Sequence, residues 1–257
     1  MSLKGRIALV TGASRGIGAA TAIMLGSRGA QVVVGARTVA DLEKVVAKIE
    51  KEGGRGLAVP CDVTDVEQVE RMVARVMDKW GRLDILVINA GMGGQGIGQG
   101  KFVEEISLEE WDRLITLNLR SVFLCIRAVA PIMRKQGYGR IVNMSSVAGR
   151  SHSDLTGPVY GSAKAGILGL TRYMAAELGP YGVTVNAVAP SIVMSQRVKA
   201  RFEAHSEEER KKYIMNIPLG RLAEPEEIAS AVAFLASDDA SYVNGVSLDV
   251  NGGRYMA

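Results

Sequence analysis

The alternation of short apolar runs with longer amphipathic segments constrains this chain more than any other feature of its sequence. The apolar runs are rich in Val and Ile and lack polar alternation, which is typical of parallel strands covered on both faces. They occupy residues 6–12, 31–36, 55–62, 83–90, 139–146 and 183–190, with a last candidate at 246–250. The amphipathic segments occupy residues 16–28, 39–52, 65–79, 108–136, 158–179 and 225–236. This order predicts an α/β fold, a doubly wound parallel sheet of about seven strands with helices on both faces.

The chain is expected to form one domain, residues 1–257, because no linker, repeat or low-complexity tract divides it. A hydrophobic content of 47% and a charged content of 23% exclude disorder as the main state. The segment 108–136 carries polar groups in the run ITLNLRSVF, so we expect two helices there.

Charge and cysteine content limit the classes of partner. The net charge of +4 comes from basic residues scattered among acidic ones, so we expect anionic ligands rather than nucleic acid. Cys61 and Cys125 cannot make a disulfide framework and lack metal-ligand spacing, which indicates a reducing compartment and no metal site. The N-terminus shows no leader pattern, and no apolar run approaches the roughly 18 residues of a membrane span. We therefore expect a cytoplasmic protein with no membrane association.

The first strand leads through VTGASRGIGAATAIML into the first helix. Gly12, Gly16 and Gly18 are spaced so that the backbone can approach a pyrophosphate and offer it the positive end of a helix dipole. Gly18 would also allow close packing of helix on strand. An ordinary glycine turn is the alternative, but the position between first strand and first helix favours a dinucleotide site.

A second glycine-rich stretch, GMGGQG at residues 91–96, also follows a strand. Glycines continue to residue 100 and no helical pattern begins until about Ser107, so we interpret residues 91–100 as a loop. Open α/β sheets bind ligands beyond the carboxyl ends of their strands, and we expect this loop to border the substrate cleft.

The second strand ends in VVVGART, without the acidic residue that usually holds a free ribose 2′-hydroxyl. Arg37 and Arg15 can instead hold a 2′-phosphate through charge-assisted hydrogen bonds. Two solvated surface arginines are the alternative. The sequence therefore favours NADP(H) as the cofactor, with NAD(H) possible.

Five ordered motifs carry a resemblance that spans the chain. They are TGASRGIG (11–18), NAG (89–91), Asn118 in NLRSVF, Ser146 in NMSS and YGSAK (160–164). In order and spacing they resemble the short-chain dehydrogenase/reductase family, and VNAVAP and YVNGVSLDVNGG fit as well. The resemblance implies a Rossmann-type fold and an NAD(P)-dependent oxidoreductase, and its nearest-looking members are 3-oxoacyl-[acyl-carrier-protein] reductases.

The resemblance implies a catalytic set. Tyr160 matches the proton donor to the carbonyl, and Lys164 matches the residue that holds the nicotinamide ribose. Lys164 lies one helical turn from Tyr160, so we expect its ammonium to favour the phenolate and lower the tyrosine pKa. Ser146 matches the residue that hydrogen-bonds the substrate oxygen. Asn118 matches the residue that interrupts a helix and anchors a water for proton relay, with a plain helix-kink residue as the alternative.

The resemblance also implies a longer cofactor site. The expected cofactor-binding residues are Gly12, Ser14, Arg15, Gly16, Ile17, Gly18, Arg37, Asp62, Val63, Asn89, Ala90, Gly91, Tyr160, Lys164, Pro190, Ile192, Val193 and Ser195. Ser191 and Ser195 replace the Gly and Thr that usually follow Pro190 in the family, so we expect altered loop geometry with binding kept. Asn251 replaces the commoner Asp, and we expect it to lack a salt-bridge partner.

Residues 191–217 are expected to form a mobile helical lid over the substrate. Its apolar face consists of Met194, Val198, Phe202 and Ile214, and its basic residues could meet an acidic carrier or thioester. A solvated amphipathic helix is the alternative. His152 and Asp154 indicate a somewhat polar pocket, or simply a polar surface.

Three functions stay open on the sequence alone. The first is an NADPH-dependent reductase of a 3-oxoacyl thioester, and the second is a dehydrogenase of a sugar, polyol or other secondary alcohol. The third is a nucleotide-sensing binding protein without turnover, against which Ser146, Tyr160 and Lys164 argue because all three are present. The resemblance also implies a homotetramer built on the helices near 108–136 and 158–179, with the C-terminus at a second interface.

Overall fold

A computed structural model describes residues 1–92, 100–153 and 155–257. Seven strands form one sheet in the order β3-β2-β1-β4-β5-β6-β7, and every neighbouring pair is parallel. The strands are β1 (Ile7–Thr11), β2 (Gln31–Ala36), β3 (Arg55–Pro60), β4 (Ile85–Ile88), β5 (Gly139–Met144), β6 (Val183–Pro190) and β7 (Ser247–Val250). The predicted doubly wound parallel sheet is confirmed, with each strand inside the apolar run that predicts it.

Helices cover both faces of the sheet. They are α1 (Gly16–Ser27), α2 (Val39–Lys51), α3 (Val66–Trp80), α4 (Leu108–Ile115), α5 (Ser121–Gln136), α6 (Pro158–Leu178), α7 (Gln196–Ala204), α8 (Glu207–Ile214) and α9 (Pro225–Leu235). Within β1, Ala8 and Val10 join the core under α1, α2 and α9, while Ile7 and Leu9 join the core under α3, α5 and α6. Both faces of each central strand are therefore buried, which explains the missing polar alternation.

The segment 108–136 contains the two predicted α-helices, α4 and α5. One turn of π-helix, Thr116–Arg120, joins them without a break in the helical path. Asn118 is buried in that turn and its Nδ2 donates to the Leu114 carbonyl oxygen at 3.1 Å. The polar residues therefore mark the boundary between the two α-helices, and that boundary is a π turn.

The same run, Leu108–Gln136, is long and apolar enough by length and composition to cross a membrane. In the fold its second part, α5, packs on β4, β5, α3 and α6, and buries Val122, Ile126 and Val129 in the core below the sheet. Helix α5 is therefore a core helix of the α/β fold.

The order of the strands reverses between β1 and β4, which lie side by side. The connections after these two strands run to opposite faces of the sheet, so a crevice opens beyond their carboxyl ends. The glycine turn after β1 and the NAG motif after β4 border this crevice.

A network of charged residues lies at the amino-terminal ends of the strands, on the side of the sheet opposite the crevice. Asp84 is fully buried and accepts from the Ile7 backbone N–H at 2.8 Å and from Arg82 Nη2 at 2.6 Å. Arg6 and Arg140 both lie over the ring of Tyr138, and both pair with Asp238. These contacts tie the starts of β1, β4 and β5 together, far from the crevice.

We expect Asp84→Asn to lower the free energy of unfolding by about 2 kcal/mol, because the buried site loses its charge-assisted hydrogen bonds. Urea unfolding at one fixed protein concentration measures this. Glu67→Gln, which removes the exposed pair with Arg71, serves as the control and should leave the transition in place. Equal midpoints for wild type and Asp84→Asn would contradict the structural role.

Candidate active site

A cleft of about 1510 Å³ lies at the carboxyl ends of the strands. The predicted site residues that line it are Gly12, Ser14, Arg15, Gly16, Ile17, Arg37, Asp62, Val63, Asn89, Ala90, Gly91, Asn118, Ser146, Tyr160, Lys164, Pro190, Val193 and Ser195. The fold thus brings residues from all five motifs to one place.

Two predicted cofactor-binding residues do not line the cleft. A Cβ on Gly18 would meet the Gly12 carbonyl oxygen and lie 2.5 Å from Asn89 Nδ2, so Gly18 serves the packing of α1 on the strands. Ile192 is not among the lining residues, and its carbonyl oxygen accepts from the Ala223 N–H at 3.2 Å. Contact of Gly18 and Ile192 with the cofactor stays a prediction.

The turn after β1 forms a cradle that has no room for side chains. Gly12 has φ +64°, and a Cβ there would lie 2.7 Å from the Ala90 Cα. Asn89 Nδ2 fixes the turn by donating to the carbonyl oxygens of Thr11 at 3.3 Å and Gly12 at 3.0 Å. Helix α1 begins at Gly16 without a side-chain cap and without acidic residues in its first turn. Its first amides are therefore available to an anion, and the cradle fits the pyrophosphate of a dinucleotide.

The end of the cleft next to β2 carries positive charge. Arg15 and Arg37 are exposed at its rim, and within the described ranges neither forms an ion pair. The nearby Asp41 is paired with Lys44 at 3.0 Å. Asp62 accepts from the Thr64 N–H at 3.0 Å and the Thr64 hydroxyl at 2.7 Å, which fixes the loop after β3.

Tyr160 and Lys164 lie on the first turns of α6, which begins at Pro158 after the extended Gly157. Lys164 is buried, and its Nζ donates to the Met144 carbonyl oxygen at 2.8 Å and lies 5.6 Å from the centre of the Tyr160 ring. The Ser146 side chain lies close to the Tyr160 hydroxyl, and both residues line the cleft. A hydroxyl pair and an ammonium group thus face the same part of the cleft.

Burial is the main cause of the pKa shifts of Tyr160 and Lys164. It raises the pKa of Tyr160 above its ordinary value, and the hydrogen bond with Ser146 opposes the rise. Burial also lowers the pKa of Lys164 to about 8. The predicted lowering of the Tyr160 pKa is therefore wrong, because the effect of burial exceeds the effects that favour the phenolate. A raised pKa keeps the phenol protonated at neutral pH, as an acid requires.

Small residues allow the strand end, the turn after it and α6 to approach closely. Ser145 Oγ donates to the Lys164 carbonyl oxygen at 2.8 Å. A Cβ on Gly149 would lie 2.6 Å from the Lys164 carbonyl carbon, and one on Gly161 would lie 3.2 Å from the Ala148 oxygen. The turn that carries Ser146 is therefore held directly against the turn of α6 that carries Tyr160 and Lys164.

Asn118 reaches the same place from the π turn. Its Oδ1 accepts from the Met92 N–H at 3.1 Å. A Cβ on Gly91 would lie 2.9 Å from that oxygen and 3.6 Å from Lys164 Nζ. The glycine leaves open the space between Asn118 and Lys164, where the predicted proton relay would run.

The segment after β6 closes the other end of the cleft. Ser195 caps α7 through its Oγ, and a Cβ on Gly16 would lie 3.5 Å from the Ser195 Cβ. Ser191 Oγ is buried and has no hydrogen-bond partner in the part of the chain that the structure describes. Ser191 replaces the Gly that usually follows Pro190 in the family, and its hydroxyl is therefore available to a ligand.

The predicted lid contains α7 and α8, joined by a cluster of side chains. Phe202 and Tyr213 pack edge to face at 6.1 Å, and Arg210 donates to the carbonyl oxygens of Phe202 and Glu203. Asp154 and residues 93–99 of the predicted loop lie outside the described residues. Asn251, predicted to lack a salt-bridge partner, is buried and donates to the Tyr255 carbonyl oxygen at 3.0 Å.

The sequence motifs did not identify every residue of the cleft. The additional lining residues include Thr38, Cys61, Thr64, Met92, Glu109, Asp112, Arg113, Thr116, Leu117 and Gln196. Half of them lie on α4 or just after it. The only feature of the sequence that places α4 near the cleft is its position directly before Asn118. Because a helix can pack on a cleft in many ways, that signal does not predict which face it turns to the ligand.

Comparison with known proteins agrees with this geometry. A family model described as "Enoyl-(Acyl carrier protein) reductase", a short-chain dehydrogenase/reductase model, matches residues 12–254. The 3-oxoacyl-[acyl-carrier-protein] reductase of Vibrio harveyi is 42% identical over 256 residues, with both chains covered completely.

Two solved structures are similar over nearly the whole chain. A 3-oxoacyl-[acyl-carrier protein] reductase with bound NAD from Brucella melitensis has a TM-score of 0.88 and 36% identity, and the match covers 100% of this chain and 93% of that one. Levodione reductase has a TM-score of 0.88 and 35% identity, with 98% of each chain covered. With the cradle, the hydroxyl pair and the buried lysine in one cleft, these matches show that the chain belongs to the short-chain dehydrogenase/reductase family, the oxidoreductases that work with a nicotinamide cofactor.

Proposed function

We propose that the protein is an NADPH-dependent reductase that converts a ketone to a secondary alcohol, with a 3-oxoacyl thioester as the substrate. The observation that carries the reaction type is the Tyr160 hydroxyl, close to the Ser146 side chain and to the buried Lys164, in a cleft with a dinucleotide cradle. The 3-oxoacyl-[acyl-carrier-protein] reductases among its relatives support the substrate class.

In this mechanism Ser146 and Tyr160 hold the ketone oxygen by their hydroxyl groups. NADPH, when bound, supplies the hydride for the carbonyl carbon. As negative charge develops on the oxygen, the Ser146 hydroxyl stabilises it and Tyr160 transfers its proton to it, which completes the alcohol. The Lys164 ammonium stabilises the resulting phenolate. Asn118, next to Gly91 and Lys164, holds the route by which solvent returns a proton to Tyr160.

The preference for NADPH rests on Arg37 and Arg15. Both are exposed at the rim of the cleft and free of ion pairs within the described residues, while Asp41 is held by Lys44. A 2′-phosphate would therefore meet two free guanidinium groups, and Asp41, the α2 carboxylate that lines the cleft, is already paired with Lys44.

We expect Arg37→Asp to raise the Kd for NADPH about tenfold or more and to change the Kd for NADH less than twofold, because a charge-assisted contact exists only with the 2′-phosphate. Fluorescence titration measures both constants. Arg75→Asp makes the same change on exposed α3, away from the cleft, and should alter neither. An unchanged ratio of the two constants in Arg37→Asp would overturn the 2′-phosphate site.

A second function has a specific observation in its favour. Levodione reductase, whose name does not specify a thioester, matches 98% of the chain, against 100% for the 3-oxoacyl-[acyl-carrier protein] reductase from Brucella melitensis. A dehydrogenase of a sugar, polyol or other secondary alcohol is therefore the second candidate. Purified protein assayed with NADPH and an acetoacetyl thioester, against NAD with a panel of polyols, separates the two, and no turnover with either would support a nucleotide-sensing role.

The segment 191–217 is proposed as the cover of the substrate. Its α7 and α8 are joined by the Phe202–Tyr213 contact, and Ser195 begins α7 at the cleft itself. The whole chain acts as one domain in this proposal, with the cover as its substrate-binding part.

We infer a cytoplasmic homotetramer. Phe123 on α5 and Tyr173 on α6 are exposed, as are Tyr242 and Met256 near the C-terminus. Two separate faces with large exposed apolar side chains suit two kinds of subunit interface. Size-exclusion chromatography with light scattering tests this, and a monomer mass would contradict it.

A further inference from the structure

Arg150 connects the turn that carries Ser146 to the C-terminal end of the chain. It directly follows the short 3₁₀ turn Val147–Gly149, which begins at Ser146. Its Nη2 lies 3.1 Å from Asp249 Oδ2 on β7, and its guanidinium lies 5.0 Å from the centre of the Tyr255 ring. Arg150 does not line the cleft, so any effect on the reaction must pass through a neighbour.

Two backbone hydrogen bonds fix the 3₁₀ turn between Ser146 and Arg150. The Gly149 N–H donates to the Ser146 carbonyl oxygen and the Arg150 N–H donates to the Val147 carbonyl oxygen, both at 2.9 Å. On its other side the turn touches the backbone of Lys164 at Gly149. The turn is therefore clamped between α6 on one side and Asp249 with Tyr255 on the other.

The C-terminal side of the clamp is itself fixed. Asp249 lies opposite Ala189 in the β6–β7 pairing, next to Pro190 of the cleft. The buried Asn251 closes the terminal turn by bonding the Tyr255 carbonyl oxygen at 3.0 Å and the Gly253 N–H at 2.9 Å. Gly252 also accepts from the Leu219 N–H at 3.2 Å, at the end of the substrate cover.

Both members of the ion pair between Arg150 and Asp249 are largely buried. Arg150 and Asp249 are each about one-fifth exposed. Arg150 Nε and Asp249 Oδ1 are buried and unpaired within the ranges that the structure describes. If the contact with Asp249 is lost, the partly buried guanidinium keeps only the Tyr255 ring as a neighbour, and we expect the turn to shift so that water can solvate the charge.

We propose that Arg150 is a positioning residue for the ketone reduction, which holds the Ser146 hydroxyl in register with Tyr160 through its contacts with Asp249 and Tyr255. The inference rests on the proposed function, because it assumes that Ser146 stabilises the substrate oxygen. A small displacement of such a donor weakens catalysis without removing the binding site.

The test is a double-mutant cycle between Arg150→Met and Ser146→Ala, with kcat and KM for an acetoacetyl thioester as readouts. Arg150→Met is expected to lower kcat about tenfold, with KM, the NADPH Kd and the mass in solution unchanged. In the Ser146→Ala background, which itself loses about 10²-fold, the same change should cost less than twofold. Asp249→Asn should copy Arg150→Met, and Arg150→Lys should restore part of the loss. Tyr255→Phe keeps the ring and should match wild type.

Equal losses from Arg150→Met in both backgrounds would overturn the inference and leave the proposed function intact, since Arg150 would then act on stability or on another group. A wild-type kcat in Arg150→Met would also overturn it. Full activity of Ser146→Ala alone would overturn the assigned role of Ser146 and the inference together. If Arg150→Met does not fold, Asp249→Asn in the two backgrounds provides the same comparison.

Discussion

Tyr160→Phe is expected to lower kcat for ketone reduction by about 10³-fold, while the Kd for NADPH changes less than twofold. The substitution removes one hydroxyl and keeps the ring that packs in the cleft. Without that hydroxyl the substrate oxygen has no proton donor, and general-acid catalysis contributes roughly 10²- to 10⁴-fold. The Ser146 hydroxyl, which accepts the Ala148 N–H at 3.2 Å, remains to hold the oxygen.

The matched control for this change lies on the same helix. Tyr173 is 78% exposed on α6, away from the cleft, so Tyr173→Phe should keep wild-type kcat. Stopped-flow or steady-state consumption of NADPH measures the rates, and fluorescence titration measures the binding. A Tyr160→Phe enzyme within tenfold of wild type would mean that another group supplies the proton.

The second large effect concerns Lys164 and pH. Its pKa is lowered to about 8 by burial, so the ammonium form is lost as the pH rises through that value. Because the ammonium stabilises the phenolate that forms when Tyr160 gives up its proton, kcat/KM for reduction should fall above about pH 8. Lys164→Met should lower kcat/KM by about 10²-fold and should abolish this inflection.

The same pKa has a consequence for stability with the opposite sign. The value in the folded protein lies below the ordinary 10.5, so the fold disfavours the charged lysine. This destabilisation is complete below about pH 8 and disappears as the pH rises from about 8 to 10.5. Wild type should therefore gain stability relative to Lys164→Met over that range, as thermal unfolding at several pH values would show. A stability difference that is independent of pH, together with an inflection that persists in Lys164→Met, would mean that another group titrates.

The sheet could be predicted closely because buried parallel strands show an unbroken Val/Ile pattern. The run VTVNAVAP coincides with β6, Val183–Pro190, to the residue. The turn chemistry was equally readable, since Gly12 and Gly16 have the positive φ that only glycine adopts freely. Local features of this kind depend on a few neighbouring residues.

Features that depend on distant packing could not be predicted. The polar run around Asn118 predicts a boundary between two helices, but not the π turn that joins them, because that turn is made by backbone hydrogen bonds that no side-chain pattern marks. The spacing of Tyr160 and Lys164 predicted a lowered tyrosine pKa, but the spacing contains no information on burial, which raises it. Arg150 and Asp249 are 99 residues apart, and only the fold brings them together.

The central claim is that the cleft reduces the ketone of a 3-oxoacyl thioester, whereas the matching family model is described by an enoyl reductase. NADPH deuterated at carbon 4, offered with an acetoacetyl thioester or a crotonyl thioester, distinguishes the two by mass spectrometry of the product. We predict a 3-hydroxybutyryl thioester with deuterium at carbon 3 and no reaction of the crotonyl thioester. A deuterated butyryl thioester from the crotonyl substrate, with the ketone untouched, would contradict the account.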